Sequence, residues 1–199
     1  MPERLILASA SSARAVMLRA AGIAFEIDPA SIDEARIKRL ARATDDTAAA
    51  CALALAVEKA RIVSARHPEA LVIGADQILV AGDEWLDKPP NLDAARAQLR
   101  ALSDRTHSLA TAACVVRDGL SLWQAISVPE LTMRRVSDAV LDAYIAAEGE
   151  SLLSSVGAYR IEGRGVQLFS RISGDHFAVL GLPLLELLDF LRRRGTALI

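Results

Sequence analysis

The sequence predicts an α/β fold in which helices pack on a long mixed β-sheet. Apolar runs typical of buried strands, such as residues 71–76, alternate with segments whose apolar residues recur at helical spacing. Two long β segments, 106–116 and 120–136, flank Asp118-Gly119, a dipeptide that favours a hairpin turn. Because this long antiparallel pairing interrupts the strand–helix alternation of a purely parallel sheet, we expect a mixed sheet.

The first half of the chain is predicted to form short buried strands separated by helices. Ser11 or Ser12 caps the first helix, and Gly22 suits its C-terminal end. A later, alanine-rich helix carries Lys59 within its apolar stripe. The predicted elements are a strand over 5–8, a helix ending at 22, a strand over 25–27, a helix over about 47–66, and a strand over 71–76 that 77–80 extend to a turn at 82–83.

The second half contains the long β segments and three more helices. Asn91 and Ser137 are suitable helix caps, and Pro129 is the point where the second long β segment can break. The predicted elements are a helix over 91–102, the β segments over 106–116 and 120–136, a helix after 137, a glycine-rich passage over 157–165, strands over 166–172 and 177–180, and a final helix opened by 181–183.

Composition and charge argue against several kinds of partner. The 23 basic and 25 acidic residues leave a net charge of −2, which favours neither nucleic acid nor an anionic membrane surface. Aromatic residues, at 4%, are too few for extended base stacking. Residues 1–5 lack the pattern of a signal peptide, and the apolar runs fall well short of the roughly 20 residues of a membrane span. We therefore expect one cytoplasmic domain over 1–199, with Cys51 and Cys114 as buried free thiols.

A serine-rich turn between the first strand and the first helix is the first candidate binding site. It contains Ser9, Ser11 and Arg14. The backbone N–H groups and the dipole at a helix N-terminus favour anions, while hydroxyls add donors and the arginine fork suits phosphate. The turn therefore predicts a phosphate site, and an ordinary serine cap with a surface arginine is the alternative.

Two carboxylates are the second candidate. Asp76 ends an apolar strand, a position from which it can face a cleft and either bind a metal or activate water. The alternative is a buried aspartate that accepts hydrogen bonds from loop amides. Glu34 can join Asp76 around a metal, or it can be the acidic residue of a helix start.

Two lysines occupy positions that suit an anionic ligand. Lys59 lies on an apolar helix stripe, where a charge is costly unless it is paired. Lys88 precedes Pro89-Pro90, so its backbone is stiff and extended. For each lysine taken alone, a solvated side chain is the alternative.

The glycine-rich passage and the histidines complete the survey. Glycines at 157 and 163 allow a backbone to approach a ligand closely, and Glu162 between them can accept hydrogen bonds from a nucleobase; a plain turn is the alternative. The three histidines share no metal-ligand spacing and pair with no obvious serine or cysteine nucleophile, so we expect them to be non-catalytic. They are His67, His107 and His176.

Taken in order, these segments resemble the motifs of one family. The matching stretches are Leu7–Arg14 against LAS-x-SPRR, Gly74–Gln77 against G-[AS]-D-[TQ], Lys88-Pro89 against GKP, Leu102–His107 against LSGRTH, Gly157–Gly165 against GAYxIQGxG, and Gly181–Pro183 against GLP. The chain resembles the Maf family of nucleotide pyrophosphatases over nearly its whole length, roughly residues 4 to 194. Each motif alone is weak, whereas the ordered set is specific.

The resemblance implies a fold, a reaction and a set of residues. The family is similar in fold to inosine-triphosphate pyrophosphatases, with a long bent sheet and two lobes around a cleft, and its members are commonly homodimers. The reaction is hydrolysis of a nucleoside triphosphate to the monophosphate and pyrophosphate with a divalent cation, Mg²⁺ or Mn²⁺. The catalytic carboxylate falls on Asp76, and the pocket residues fall on Ser9, Ser11, Arg14, Glu34, Lys59 and Lys88.

Three positions tied to base choice in the family fall on Ala13, Gln77 and Glu162. Members that act on dTTP and UTP carry arginine, threonine and glutamine there, and members that act on 7-methyl-GTP carry tryptophan, glutamine and glutamate. Two of the three residues match the second type, and Ala13 matches neither. A carboxylate such as Glu162 can accept from the N1 and N2 hydrogens of guanine, so we expect modified or plain purine triphosphates to be preferred.

The sequence leaves three other functions open. The first is a nucleotide-binding regulator of cell division that does not hydrolyse its ligand, because Ala13 replaces a family arginine. The second, within the enzyme interpretation, is a dTTP/UTP pyrophosphatase. The third is a nucleic-acid-binding module, against which the balanced charge and the few aromatic residues argue.

Overall fold

The computed structural model describes residues 3–196, and it confirms an α/β protein with a mixed sheet and packed helices. Met1 and Pro2, within the stretch where the sequence predicts no signal peptide, lie outside the described residues. The chain forms two compact units. The first comprises the described residues of Met1–Gln77, Ala110–Ser127 and Phe177–Ile199, and the second comprises Ile78–Leu109 and Val128–His176. A single domain over 1–199 stays a prediction.

The described residues contain eight strands, seven α-helices and three 3₁₀ turns. The strands are β1 (Leu5–Leu7), β2 (Glu26–Ile27), β3 (Leu71–Ala81), β4 (Glu84–Leu86), β5 (Thr106–Arg117), β6 (Leu120–Ser127), β7 (Glu130–Met133) and β8 (Phe169–Ser173). The helices are α1 (Ser12–Ala20), α2 (Glu34–Ala43), α3 (Ala48–Arg66), α4 (Leu92–Leu102), α5 (Asp138–Glu148), α6 (His176–Val179) and α7 (Leu184–Arg193). The 3₁₀ turns cover Gly149–Ser154, Val156–Ala158 and Arg164–Leu168.

In the first unit, helices cover both faces of a mixed sheet, which contains parallel and antiparallel strand pairs. β2, β1 and β3 are parallel neighbours, whereas β5 and β6 form an antiparallel hairpin. Ala56 and Ala60 of α3 pack with Val72 on one face, and Leu18 of α1 packs with Ile73 on the other. Burial of each large aliphatic side chain stabilises such a core by roughly 1.5–3 kcal/mol.

Gly74 allows α3 to lie against β3. A Cβ atom at this position would be 2.0 Å from the carbonyl oxygen of Ala56 and 2.9 Å from Cβ of Ala60. Both atoms belong to packed helix, so they cannot move away cheaply. The glycine therefore brings the part of β3 that contains Asp76 close to the helix that carries Lys59.

The second unit contains smaller antiparallel pairings. The last residues of β3 form a hairpin with β4, and β7 lies between the start of β5 and β8. Helices α4 and α5 pack on each other, and Arg96 of α4 donates to Asp142 of α5 at 2.7 Å. The glycine-rich passage begins in the 3₁₀ turn Val156–Ala158 and ends in the turn Arg164–Leu168. Helix α4 packs on the 3₁₀ turns Gly149–Ser154 and Val156–Ala158.

Local sequence signals predict most of the elements correctly. The caps are confirmed: the side chains of Ser11, Asn91 and Ser137 each accept a hydrogen bond from the backbone N–H three residues later. The strand break at Pro129 is confirmed, since β6 ends at Ser127 and β7 begins at Glu130. Both cysteines are buried and free.

One predicted strand is wrong, a second begins later than predicted, and the sequence does not predict one of the helices. Residues 166–168 belong to a 3₁₀ turn, so the strand there begins only at Phe169. Residues 177–179 lie in α6. The predicted strand over 177–180 is wrong because an apolar run of four residues fits a helical turn as well as a strand. Helix α2 buries only Ala41, so its sequence lacks the apolar stripe that signals a helix. Within residues 3–196, none of the helices is long and apolar enough to cross a membrane.

Candidate active site

Asp76 lies on β3 in the first unit, where the buried apolar run Leu71–Ile73 leads up to it. Its side chain is 9% exposed, and Oδ1 accepts a hydrogen bond from Nζ of Lys59 at 2.5 Å. Loop amides are not its partners among the described residues, so the alternative of an aspartate held by loop N–H groups is wrong. Asp76 is instead a nearly buried carboxylate whose partner is a cation.

Lys59 joins two carboxylates. Its Nζ atom lies 2.5 Å from Oδ1 of Asp76 and 2.7 Å from Oε1 of Glu34, and its side chain is 12% exposed. The sequence indicates that a charge on this apolar stripe needs a partner, and the structure supplies two. Glu34 is also the first residue of α2, where the side chain of Asp33 caps the helix, so it is the acidic residue of a helix start. Its role with Asp76 around a metal stays a prediction.

The carboxylate oxygens around Lys59 are of the kind that bind a divalent cation. Glu34 and Asp76 direct carboxylate oxygens at one point, and Mg²⁺ is commonly bound by one or two carboxylates together with substrate phosphates and water. Among the described residues, no group of three or more His, Cys, Asp or Glu side chains could hold a metal ion. The two carboxylates therefore fit a metal that takes its other ligands from the substrate and from water.

The start of α1 has the hydrogen-bonding geometry of an anion-binding turn, and anion binding there stays a prediction. The hydroxyl of Ser11 accepts from the N–H of Arg14 at 3.4 Å, and the hydroxyl of Ser9 accepts from the N–H of Ser11 at 3.2 Å. The cap leaves the N–H groups of Ser12 and Ala13, in the first turn of the helix, for another acceptor. The geometry is that of a helix N-terminus ready to bind an anion.

Arg14 is buried, so the alternative of a surface arginine is wrong. Its Nε donates to the carbonyl of Gly181 at 2.7 Å, and its Nη1 donates to Ser9 Oγ at 3.0 Å and to the carbonyl of Ala75 at 2.9 Å. Burial lowers the pKa of the guanidinium, whereas the charges of Asp76 and Glu34 raise it. Arg14 thus ties the turn before α1 to the middle of β3 and places a positive charge near both carboxylates.

Gln77 follows Asp76 on β3, so its side chain lies on the opposite face of the strand. Its Nε2 lies 2.8 Å from Thr111 Oγ1, 2.9 Å from the carbonyl of Ala178 and 3.3 Å from the carbonyl of Val179. Carbonyl oxygens cannot donate, so the nitrogen of the amide must face them. The orientation of Gln77 is therefore fixed, with Oε1 as its remaining polar atom.

Two predicted residues belong to the second unit. Lys88 is exposed and has no ion pair or hydrogen bond to the rest of residues 3–196. Glu162 is exposed, and its Oε1 accepts from Nε of Arg160 at 3.1 Å. Arg160 also lies near Glu148, with 3.6 Å between Nη1 and Oε2.

Comparison with known proteins shows the family of this chain. The profile of the Maf family, described as Maf-like protein, matches residues 4–194. The chain belongs to the Maf family. A protein of Granulibacter bethesdensis named nucleoside triphosphate pyrophosphatase is 51% identical over 190 residues, covering 96% of each chain. A protein of Rhizobium etli named 7-methyl-GTP pyrophosphatase is 48% identical over 199 residues, covering 98% of each.

Within this Maf protein, the structure brings together six of the predicted site residues in the first unit. They are Ser9, Ser11, Arg14, Glu34, Lys59 and Asp76. Sequence reasoning missed Thr111, which holds Gln77, because an isolated threonine in an apolar strand gives no signal. It also missed Arg160, which pairs with Glu162, although an arginine two residues from a candidate acid could have indicated the pair.

Proposed function

We propose that this Maf protein hydrolyses nucleoside triphosphates to the nucleoside monophosphate and pyrophosphate. One observation carries the proposal: the carboxylate of Asp76 is paired with Lys59, while Arg14 binds the carbonyl of the preceding residue, Ala75. A carboxylate, two cations and an anion-binding helix start thus meet beside the middle of one strand, β3. Stabilisation of a phosphoryl-transfer transition state needs this combination of charges.

The cations and the helix start would bind the phosphates. Arg14 is fixed by its hydrogen bonds, so it would supply positive charge without reorganisation when substrate binds. The hydroxyls of Ser9 and Ser11 and the first N–H groups of α1 would donate to phosphate oxygens. Lys88 is proposed as a further cation, on the strength of its Lys-Pro motif alone.

Asp76 would orient the attacking water and accept its proton. The water oxygen bonds to the α-phosphorus, the bond from that phosphorus to the bridging oxygen breaks, and pyrophosphate leaves with that electron pair. Lys59 would neutralise charge on the phosphates. Glu34 and Asp76 would hold a divalent cation, Mg²⁺ or Mn²⁺, which supplies charge neutralisation at the phosphate oxygens when it is bound.

Purine triphosphates, modified or plain, are the proposed substrates. Glu162 offers a carboxylate that can accept from the N1 and N2 hydrogens of guanine and that would repel the O4 atom of uracil or thymine. Gln77 has its amide nitrogen engaged by protein, so it would present an acceptor. Ala13, where relatives of known preference carry a large side chain, leaves room beside the start of α1.

Location and assembly complete the proposal. We place the protein in the cytoplasm as a homodimer, following the resemblance to the family. Light scattering would report twice the chain mass of 21.3 kDa if this is correct. A single-chain mass at micromolar concentration would overturn the dimer without affecting the proposed reaction.

A triphosphate screen tests the function. The purified protein is mixed with GTP, 7-methyl-GTP, ATP, dTTP or UTP and with Mg²⁺ or Mn²⁺, and both pyrophosphate and monophosphate are measured. We expect equal amounts of the two products, with the guanine substrates giving the highest kcat/KM. Tight nucleotide binding without either product would support a non-hydrolysing regulator, and dTTP or UTP as the best substrates would refute the purine preference.

A further inference from the structure

A buried hydrogen bond in the second unit joins two residues that the proposed mechanism does not use. Nε2 of His107 lies 2.8 Å from Oη of Tyr159, and the two residues are 3% and 5% exposed. Nδ1 of His107 is buried and has no hydrogen-bond partner within the described part of the chain. Burial of an unpaired nitrogen is costly, so the hydrogen bond between His107 and Tyr159 must offset part of that cost.

The backbone beside Tyr159 is strained. Gly157 and Ala158 both have positive φ angles, 75° and 56°. A Cβ atom at Gly157 would lie 2.5 Å from Cδ1 of Leu79 and 2.7 Å from Cε1 of Tyr159. A left-handed alanine persists only where the surroundings over-determine its conformation, and such strain clusters at functional sites.

The ring of Tyr159 supplies that constraint. It packs edge-on against Phe169, with 4.8 Å between centroids, and its centroid is 5.5 Å from that of His107. The hydroxyl is the one polar atom of the side chain, and its partner is His107. The bond therefore fixes how far the ring enters the cluster, and with it the path of the chain that follows.

The chain that follows is a tight turn carrying Glu162, here called the Glu162 loop (residues 160–165). Its start is fixed by the N–H of Arg160, which donates to Oη of Tyr144 at 3.1 Å. Its end is fixed by Gly165, where a Cβ atom would lie 2.4 Å from the carbonyl oxygen of Arg160. The backbone of Glu162 is therefore constrained, because the two ends of the loop, Arg160 and Gly165, lie against each other.

We propose that Tyr159, held by His107, is a positioning residue for base selection that sets the Glu162 loop in its base-reading conformation. The inference rests on the proposed function, since it assigns the substrate base to Glu162. Neither His107 nor Tyr159 needs to touch the substrate. Their role is to keep the carboxylate of Glu162 directed at a purine edge rather than free to turn.

The test compares Tyr159→Phe with wild type on GTP and dTTP. The variant keeps the ring and loses the hydroxyl. We expect KM for GTP to rise about fivefold, which corresponds to the free energy of one hydrogen bond, and kcat to change much less. KM for dTTP should change less, so the preference for guanine falls. Unchanged discrimination between the two substrates in a folded Tyr159→Phe variant would overturn the proposal.

Two further variants separate positioning from packing. Phe169→Leu loosens the same aromatic cluster while leaving the hydroxyl bond, so it should lower Tm without changing discrimination. An equal change in discrimination would mean that packing alone is responsible. His107→Gln places an amide nitrogen near the position of Nε2 and should keep the preference, whereas His107→Leu should lose it; equal effects of the two would also overturn the proposal.

The proposed function and this inference fail in different ways. If wild type releases no pyrophosphate from any triphosphate, the proposed function falls. If wild type is active and discriminates between GTP and dTTP, but Tyr159→Phe discriminates equally well, only the positioning role falls.

Discussion

Lys59 and Asp76 are 17 residues apart in the chain, yet Nζ of the lysine lies 2.5 Å from Oδ1 of the aspartate. The contact exists because Gly74 lets α3 approach β3 closely. It pairs a nearly buried carboxylate with a cation, which offsets the cost of burying the charge. The predictions below test what this pair and its neighbours do.

Replacement of Asp76 by asparagine should abolish hydrolysis while leaving the fold intact. The amide keeps the shape of the side chain but can neither accept a proton nor bind a metal strongly. We expect kcat to fall at least about 10²–10⁴-fold, the usual contribution of a general base. Asp45→Asn is the matched control, because Asp45 is exposed with φ of 56°, a conformation that asparagine adopts readily. Near-wild-type turnover by Asp76→Asn would refute the assignment.

Replacement of Lys59 by methionine should increase the affinity of the nucleotide-free protein for Mn²⁺. In wild type the ammonium group occupies the space between Glu34 and Asp76, so a cation must compete with it. Loss of one nearby positive charge should lower the Mn²⁺ dissociation constant by about tenfold, after allowance for solvent screening. Titration calorimetry measures the change, and Arg39→Met on the exposed side of α2 is the control. Equal Mn²⁺ affinity in wild type and Lys59→Met would place the metal elsewhere.

Arg14→Lys should destabilise the protein although the charge is conserved. The guanidinium donates to Ser9, Ala75 and Gly181, and one ammonium group cannot reach all three acceptors. We expect the free energy of unfolding to fall by about 2 kcal/mol, because buried acceptors lose their donors. Arg19→Lys, at an exposed position of the same helix, should change it by less than about 0.5 kcal/mol. Urea denaturation that finds the two variants equally stable would contradict the role of Arg14.

Local signals in the sequence predict the elements that position the site. Ser11 caps α1, and the apolar run Leu71–Ile73 predicts the part of β3 that leads to Asp76. Asp76 does not end the strand, because β3 continues to Ala81. Prediction was harder where the deciding contact is tertiary. Helix α2 is hydrophilic and is stabilised by its packing on α3, so the sequence indicates Glu34 only as the acid of a helix start. The pairing of Glu34 with Lys59 could not be derived from spacing.

The same limit applies to the residues around Gln77. Its hydrogen bonds reach Thr111 and Ala178, which are 34 and 101 residues away. The apolar run that contains Ala178 is too short to distinguish a strand from a helical turn, so the acceptor carbonyls were assigned to the wrong element. The resemblance to the Maf family can therefore imply a role of Gln77 in base choice, but the orientation of its amide follows only from the folded chain.

Thr111→Val should change the base preference of the enzyme. The hydroxyl of Thr111 accepts from Gln77 and donates to the carbonyl of Ala178 at 2.9 Å, so valine removes a partner that fixes the amide. We expect the ratio of kcat/KM for GTP and dTTP to fall about threefold to tenfold, as for loss of one hydrogen bond. Thr111→Ser keeps the hydroxyl and should keep the ratio. Identical ratios in the valine variant and wild type would show that Gln77 needs no support from Thr111.

Acid should destabilise the protein through His107. Burial lowers the pKa of its imidazole from 6.5 to about 4, so between these values the unfolded chain binds a proton that the folded chain does not. The free energy of unfolding should therefore be unaffected by this group above pH 6.5 and should fall on acidification below it, by about 1.4 kcal/mol per pH unit and about 3 kcal/mol in total.

Comparison of wild type with His107→Gln isolates this contribution, because glutamine does not titrate and the other groups cancel in the difference. Urea denaturation at pH 7 and pH 5 should show that wild type loses about 2 kcal/mol more than His107→Gln. His176→Gln, at an exposed position, should behave like wild type. If wild type and His107→Gln lose the same stability between pH 7 and pH 5, the imidazole is not held neutral in the core, and the bond to Tyr159 would have to include a charged histidine.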